Sequence, residues 1–141
     1  MAHTCVTLFY FTVILALTAG QHKHNNSPNK NAKEEYGIEF VTSGTNDPVW
    51  TIQKNNQVVK LINDYVKTNQ NKVLNGNGYK GYKVNHKVGG VLQHTWIIPR
   101  CGSPTLEKQI YQTAPATTPR QYEVSLDAAL NLCPKPAPGR K

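Results

Sequence analysis

His86 and His94 are the only imidazoles inside the stretch of this 141-residue chain that reads as folded. A histidine beside a carboxylate is the least that acid–base cleavage of a phosphodiester requires. The carboxylates in strand-like segments are Glu39 and Glu123. An active ribonuclease would have to be built from one of these histidines and one of these glutamates. His94 alternates with Leu92 and Trp96, a pattern that predicts a packed, structural imidazole. His86 lies between Asn85 and Lys87 next to a turn, which predicts simple exposure. The chain contains no Gly-x-Ser-x-Gly, no His-Glu-x-x-His, no paired Cys-x-x-Cys and no phosphate-binding glycine loop. His22 and His24 sit in a polar tail and read as solvated, so neither metal nor cofactor is expected.

Polyanion recognition is the second chemistry the residues suggest. The net charge is +8. Between Lys54 and Arg100 the cations Lys54, Lys60, Lys67, Lys72, Lys80, Lys83, Lys87 and Arg100 face Asp64 alone. Lysines neutralise phosphates, and aromatic rings stack on unpaired bases. Tyr79, Lys80, Tyr82 and Lys83 interleave the two residue types, and with Lys87, His94 and Arg100 they form the candidate set for binding RNA or a protein partner. The competing reading packs Tyr79 and Tyr82 against the sheet and leaves the lysines as a solubilising face.

Elements must hold these residues in place. Met1 to Gly20 carries no charge, runs apolar from Val6 to Leu17, and ends in Thr18, Ala19 and Gly20. That run is shorter than a membrane span and predicts a secretory signal peptide over 1–20. Gln21 to Lys33, rich in Asn, Lys and His, predicts a disordered leader that contains the acceptor sequon Asn25-Asn26-Ser27. Cys5 leaves with the signal, so secretion predicts a disulfide between Cys101 and Cys133.

The remaining residues, 34–133, suffice for one domain, and Pro134 to Lys141 reads as a disordered basic tail. Tyr36 to Val41 alternates as a strand. Asp47 and Pro48 read as the start of one long helix running to Gln70, with Ile52, Val59, Ile62 and Val66 on one face, widened by Val58, Leu61 and Tyr65. Asn75-Gly76-Asn77-Gly78 is a turn. Strands follow at Tyr79 to Val84 and Val91 to Ile98, reversed by Gly89-Gly90 and stopped by Pro99, with a last strand at Tyr122 to Leu126. The fold class predicted is α+β, one long helix on an antiparallel sheet.

This order, with a Tyr opening the first strand, a Gly-Tyr turn and strand, Trp96-Ile97-Ile98-Pro99, Tyr122-Glu123-Val124 and the late Cys133, resembles the RNase-like secreted effectors of powdery mildew fungi. The resemblance covers Tyr36 to Cys133. It implies a fold related to the guanyl-specific fungal ribonucleases. The family's early Tyr-x-Cys is absent, since Tyr36 is followed by Gly37 and Ile38. Where active relatives carry a His after the Gly-Tyr pair and a Glu before the aromatic-Pro pair, this chain has Gly81 and Thr95 or Ile97. None of these moves a proton. The resemblance therefore implies a monomeric pseudo-ribonuclease, a candidate avirulence protein that binds host RNA or a host protein after delivery into plant cytoplasm and is read by a plant immune receptor. A secreted inhibitor of cysteine proteases is the other alternative, because Lys87-Val88-Gly89-Gly90-Val91 is similar to the first inhibitory hairpin of cystatins.

Overall fold

A computed structural model of the chain describes residues 32–135. The predicted signal peptide, most of the leader and its sequon, and the end of the basic tail lie outside the described residues. Seven elements follow in the order β1 (Glu34–Val41), β2 (Val49–Gln53), α1 (Gln57–Thr68), β3 (Gly81–Val88), β4 (Val91–Pro99), α2 (Pro104–Tyr111) and α3 (Arg120–Asn131). The strands form one antiparallel sheet in the order β2-β1-β3-β4. The predicted α+β class with an antiparallel sheet is observed; the single long helix is not.

Asp47 does not cap a helix. Its carboxylate accepts hydrogen bonds from the Thr42 backbone N–H and the Thr42 hydroxyl, which closes a turn between β1 and β2. Val49, Trp50, Thr51 and Ile52 are β-favouring residues, and they pair with β1 through Ile38↔Trp50 and Tyr36↔Ile52. Trp50 and Ile52 alternate into the core with period two, so Ile52 belongs to a strand. The helix starts only at Asn56, whose side chain accepts from the Val58 N–H at 2.9 Å. The predicted stripe survives in this shorter helix as Val58, Val59, Ile62 and Val66, all buried, while Leu61 points outward.

The C-terminal region is a second correction. Tyr122 to Leu126 is not a strand but part of α3, because Leu126, Ala129 and Leu130 recur at helical spacing and bury one stripe. The helix α2 has no counterpart among the elements the sequence pattern predicts. Pro104 opens it, and Leu106 and Ile110, four apart, share its buried face.

One hydrophobic cluster joins the inner face of the sheet (Trp50, Ile52, Tyr36, Ile38, Phe40, Tyr82, Val84, Ile98) to the buried stripes of the three helices. Phe40 sits at its centre, with Tyr79, Tyr82, Tyr111 and Tyr122 around it at ring-centroid distances of 4.7–5.9 Å. Two hydrogen bonds tie distant elements to this core: the Trp50 indole donates to Thr113 Oγ1 at 2.9 Å, and the Tyr122 hydroxyl donates to the Asn46 carbonyl at 2.7 Å.

Backbone geometry fixes the strand pairings. Gly89 and Gly90 both have positive φ (59° and 81°), as a tight two-residue hairpin between β3 and β4 requires. Gly81 has φ 133°, and a Cβ there would lie 2.2 Å from the Ile98 carbonyl oxygen, so only glycine lets β3 and β4 approach at that end. The predicted pair Cys101 and Cys133 is present, with Cα atoms 5.4 Å apart and sulfurs at bonding distance. It ties the end of β4 to the end of α3.

A candidate nucleic-acid groove along the outer edge of β4

The seven candidate residues do not form one surface. Tyr79 and Tyr82 are 1% and 0% exposed, so neither ring has a free face for a base. Their hydroxyls bond to Glu107: Tyr79 donates to its carboxylate at 2.8 Å and Tyr82 to its backbone carbonyl at 3.1 Å. Burial pushes both phenol pKa values up. They are core residues, and the interleaving with Lys80 and Lys83 reflects strand alternation and the turn before it. Lys83 pairs with Glu39 at 3.3 Å on the helix-free face of the sheet, and Lys87, four residues on, faces the same way. Lys80 is half-buried where its backbone links Val41 to Arg100.

The two histidines exchange the environments the sequence suggests. His86 is half-buried, with 14% of its side chain exposed, and its Nε2 lies 3.1 Å from the Glu34 carboxylate. It pairs with neither Glu39 nor Glu123. The same carboxylate takes an ion pair from Lys54 at 2.6 Å and a hydrogen bond from the Tyr36 hydroxyl at 3.2 Å. The Lys54 bond is the main reason the Glu34 pKa is lowered. His86 Nδ1 is buried with no partner among the described residues. An imidazole that relays a proton needs one nitrogen on its carboxylate and the other facing substrate. Here the second nitrogen is sealed. His94 is exposed, at the free margin of a cluster of near-parallel rings. Tyr36 and His86 stack at 4.7 Å, His86 and Trp96 at 5.6 Å, and His94 and Trp96 at 5.7 Å, with interplanar angles of 11–20°.

An open groove lies beside that cluster. A groove of about 720 Å³ runs between the C-terminal half of α1, the segment after it, and the outer edge of β4. Asn63 and Lys67 come from α1, Asn69, Gln70 and Lys72 from the following loop, and Trp96 forms the strand-side wall with Thr95 and Ile97. A second recess of about 420 Å³ shares Asn71 and Lys72 and extends to Arg100. No acidic side chain lines either one among the described residues. Asp64 reaches Lys67 from outside, at 3.2 Å, in an exposed pair worth little in water. Among the described residues the outer edge of β4 has no strand partner.

Arg100, in the second recess, is thus the one member of the candidate set that lines either feature. Lys67 and Lys72 belong to the basic stretch counted in the sequence, but Asn63, Asn69 and Trp96 carried no signal. The only hint was the polar run Thr68-Asn69-Gln70-Asn71-Lys72, which has no apolar periodicity and directly follows the helix.

The chain matches no family model, no curated protein and no solved structure. Among the described residues no group of three His, Cys, Asp or Glu side chains could hold a metal ion, and no helix is long and apolar enough to cross a membrane.

Proposed function

We propose that this chain is a non-catalytic RNA-binding effector: a secreted protein of RNase-like build that holds single-stranded host RNA along the edge of β4 and does not cut it. The observation that carries the reading is the acid-free groove, with Lys67, Lys72 and Arg100 along its length, amide side chains between them and Trp96 on one wall. Cations placed this way neutralise phosphates, and the amides can both donate to and accept from base edges and 2′-hydroxyls. The sealed nitrogen of His86 supports the absence of cutting. Under this reading the protein works as a monomer in host plant cytoplasm.

Fluorescence anisotropy with a labelled single-stranded RNA, measured across a salt series with gel analysis of the RNA, tests it. Three neutralised phosphates give a log–log salt slope of about −2 on a single strand. Lys67→Ala/Lys72→Ala should flatten that slope by about 1.4 and weaken binding, whereas Lys83→Ala, on the other face, should change little. Equal effects of the two variants would move the site elsewhere. No binding at low salt would end the RNA reading and leave a host protein as the target.

A further inference from the structure

The ring cluster at the mouth of the groove has a use that the groove alone does not explain. Tyr36, His86, Trp96 and His94 lie across three strands with nearly parallel planes, from the buried Tyr36 through the half-buried His86 and Trp96 to the exposed His94. Rings packed only for stability favour edge-to-face contacts as readily as stacked ones, as the Phe40 neighbourhood does with three edge contacts. Here every contact is stacked. The less exposed members hold the exposed one in orientation. His86 is fixed by Glu34, and His94 is then aligned with His86 across the strands at 6.0 Å and 16°.

We propose that His94, oriented by this cluster, is the stacking platform for one unpaired base of the bound strand, whose neighbouring phosphates pass Lys67 and Lys72 in the groove. This deepens the RNA reading and rests on it. Trp96 connects the two features, since it stacks on His94 and lines the groove. A base in a duplex has both faces occupied by its neighbours, so the platform selects single strands, and stacking of a base on an aromatic side chain is worth about 1–3 kcal/mol. That corresponds to a roughly 5- to 150-fold change in Kd.

The test uses the full mature protein and two labelled probes of equal length, a single-stranded oligoadenylate and the same strand in a perfect duplex. The unaltered protein should bind the single strand at least about fivefold more tightly. His94→Ala should erase that preference with melting temperature unchanged, because the side chain is exposed. His94→Phe, which keeps a ring and removes the imidazole nitrogens, should restore it. A retained preference in His94→Ala, or failure of Phe to rescue, would overturn the platform while leaving the groove intact. Equal binding of the two probes by the unaltered protein would do the same. No binding of either probe by the unaltered protein at low salt would overturn both readings.

Discussion

Glu107 is the buried acid on which the junction between β4 and α2 depends. It is 0% exposed. One carboxylate oxygen accepts the Tyr79 hydroxyl at 2.8 Å and the other the Ser103 backbone N–H at 3.2 Å, so a strand-leading tyrosine, the turn after Arg100 and the first turn of α2 meet on one side chain. Glu107→Ala would leave those two donors without an acceptor inside the protein. An unsatisfied buried group costs about 1–3 kcal/mol, and relief of the buried charge offsets part of that, so a net loss of about 3 kcal/mol is expected. In a domain of this size that lowers the melting temperature by on the order of 15 °C. The pH dependence identifies the cause. Burial raises the Glu107 pKa, although its hydrogen bonds to Tyr79 and Ser103 oppose the shift. A raised folded-state pKa means that the folded form binds the proton more tightly, so the stability linked to this group is fully present below the ordinary carboxylate range and is lost as pH rises through the raised value. The deficit of Glu107→Ala relative to the unaltered protein should therefore be largest near pH 4 and shrink toward pH 8. Urea unfolding at several pH values measures it. A deficit below about 0.5 kcal/mol, or one that grows with pH, would refute the account of Glu107 as a desolvated acceptor.

Three further outcomes follow from the fold. Asn56→Ala should cost about 1 kcal/mol and helical circular dichroism, since it removes the cap of α1, while Asp47→Ala should leave helicity unchanged because its partner is Thr42. Gly81→Ala should cost at least about 3 kcal/mol, combining an unfavourable φ with a clash against the β4 backbone, whereas Gly90→Ala, where nothing lies within 4 Å, should cost about 1 kcal/mol in chemical denaturation. Cys101→Ser should cost about 2–5 kcal/mol, because the link closes a loop of 32 residues, and intact-mass analysis after alkylation should show no free thiol in the unaltered mature protein.

The sequence by itself determined what local pattern and covalent chemistry can determine. Alternation placed Tyr36, Ile38 and Phe40 on the buried face of β1, Gly89-Gly90 set the β3–β4 hairpin, Pro99 ended β4, and two cysteines outside the predicted signal left one pairing. The stripe Val59, Ile62 and Val66 also emerged from spacing alone. Each of these signals lies within a few residues of the element it specifies.

Only the tertiary structure decided the rest. Pro48 to Ile52 satisfies the start of a helix and the run of a strand equally well, and pairing with β1 settled it, through partners 10 to 18 positions apart in the chain. Tyr122 and Val124 favour strands in isolation, yet the core takes up Leu126, Ala129 and Leu130 at helical spacing, which makes the segment a helix and leaves Val124 on its exposed side. His86 is half-buried beside Glu34, 52 residues earlier, which reaches its ring, and His94 is exposed because β4 is the last strand of the sheet. The groove joins residues 63–72 to 95–100, so its lack of acid is a property of the assembled surface that no single stretch of chain carries.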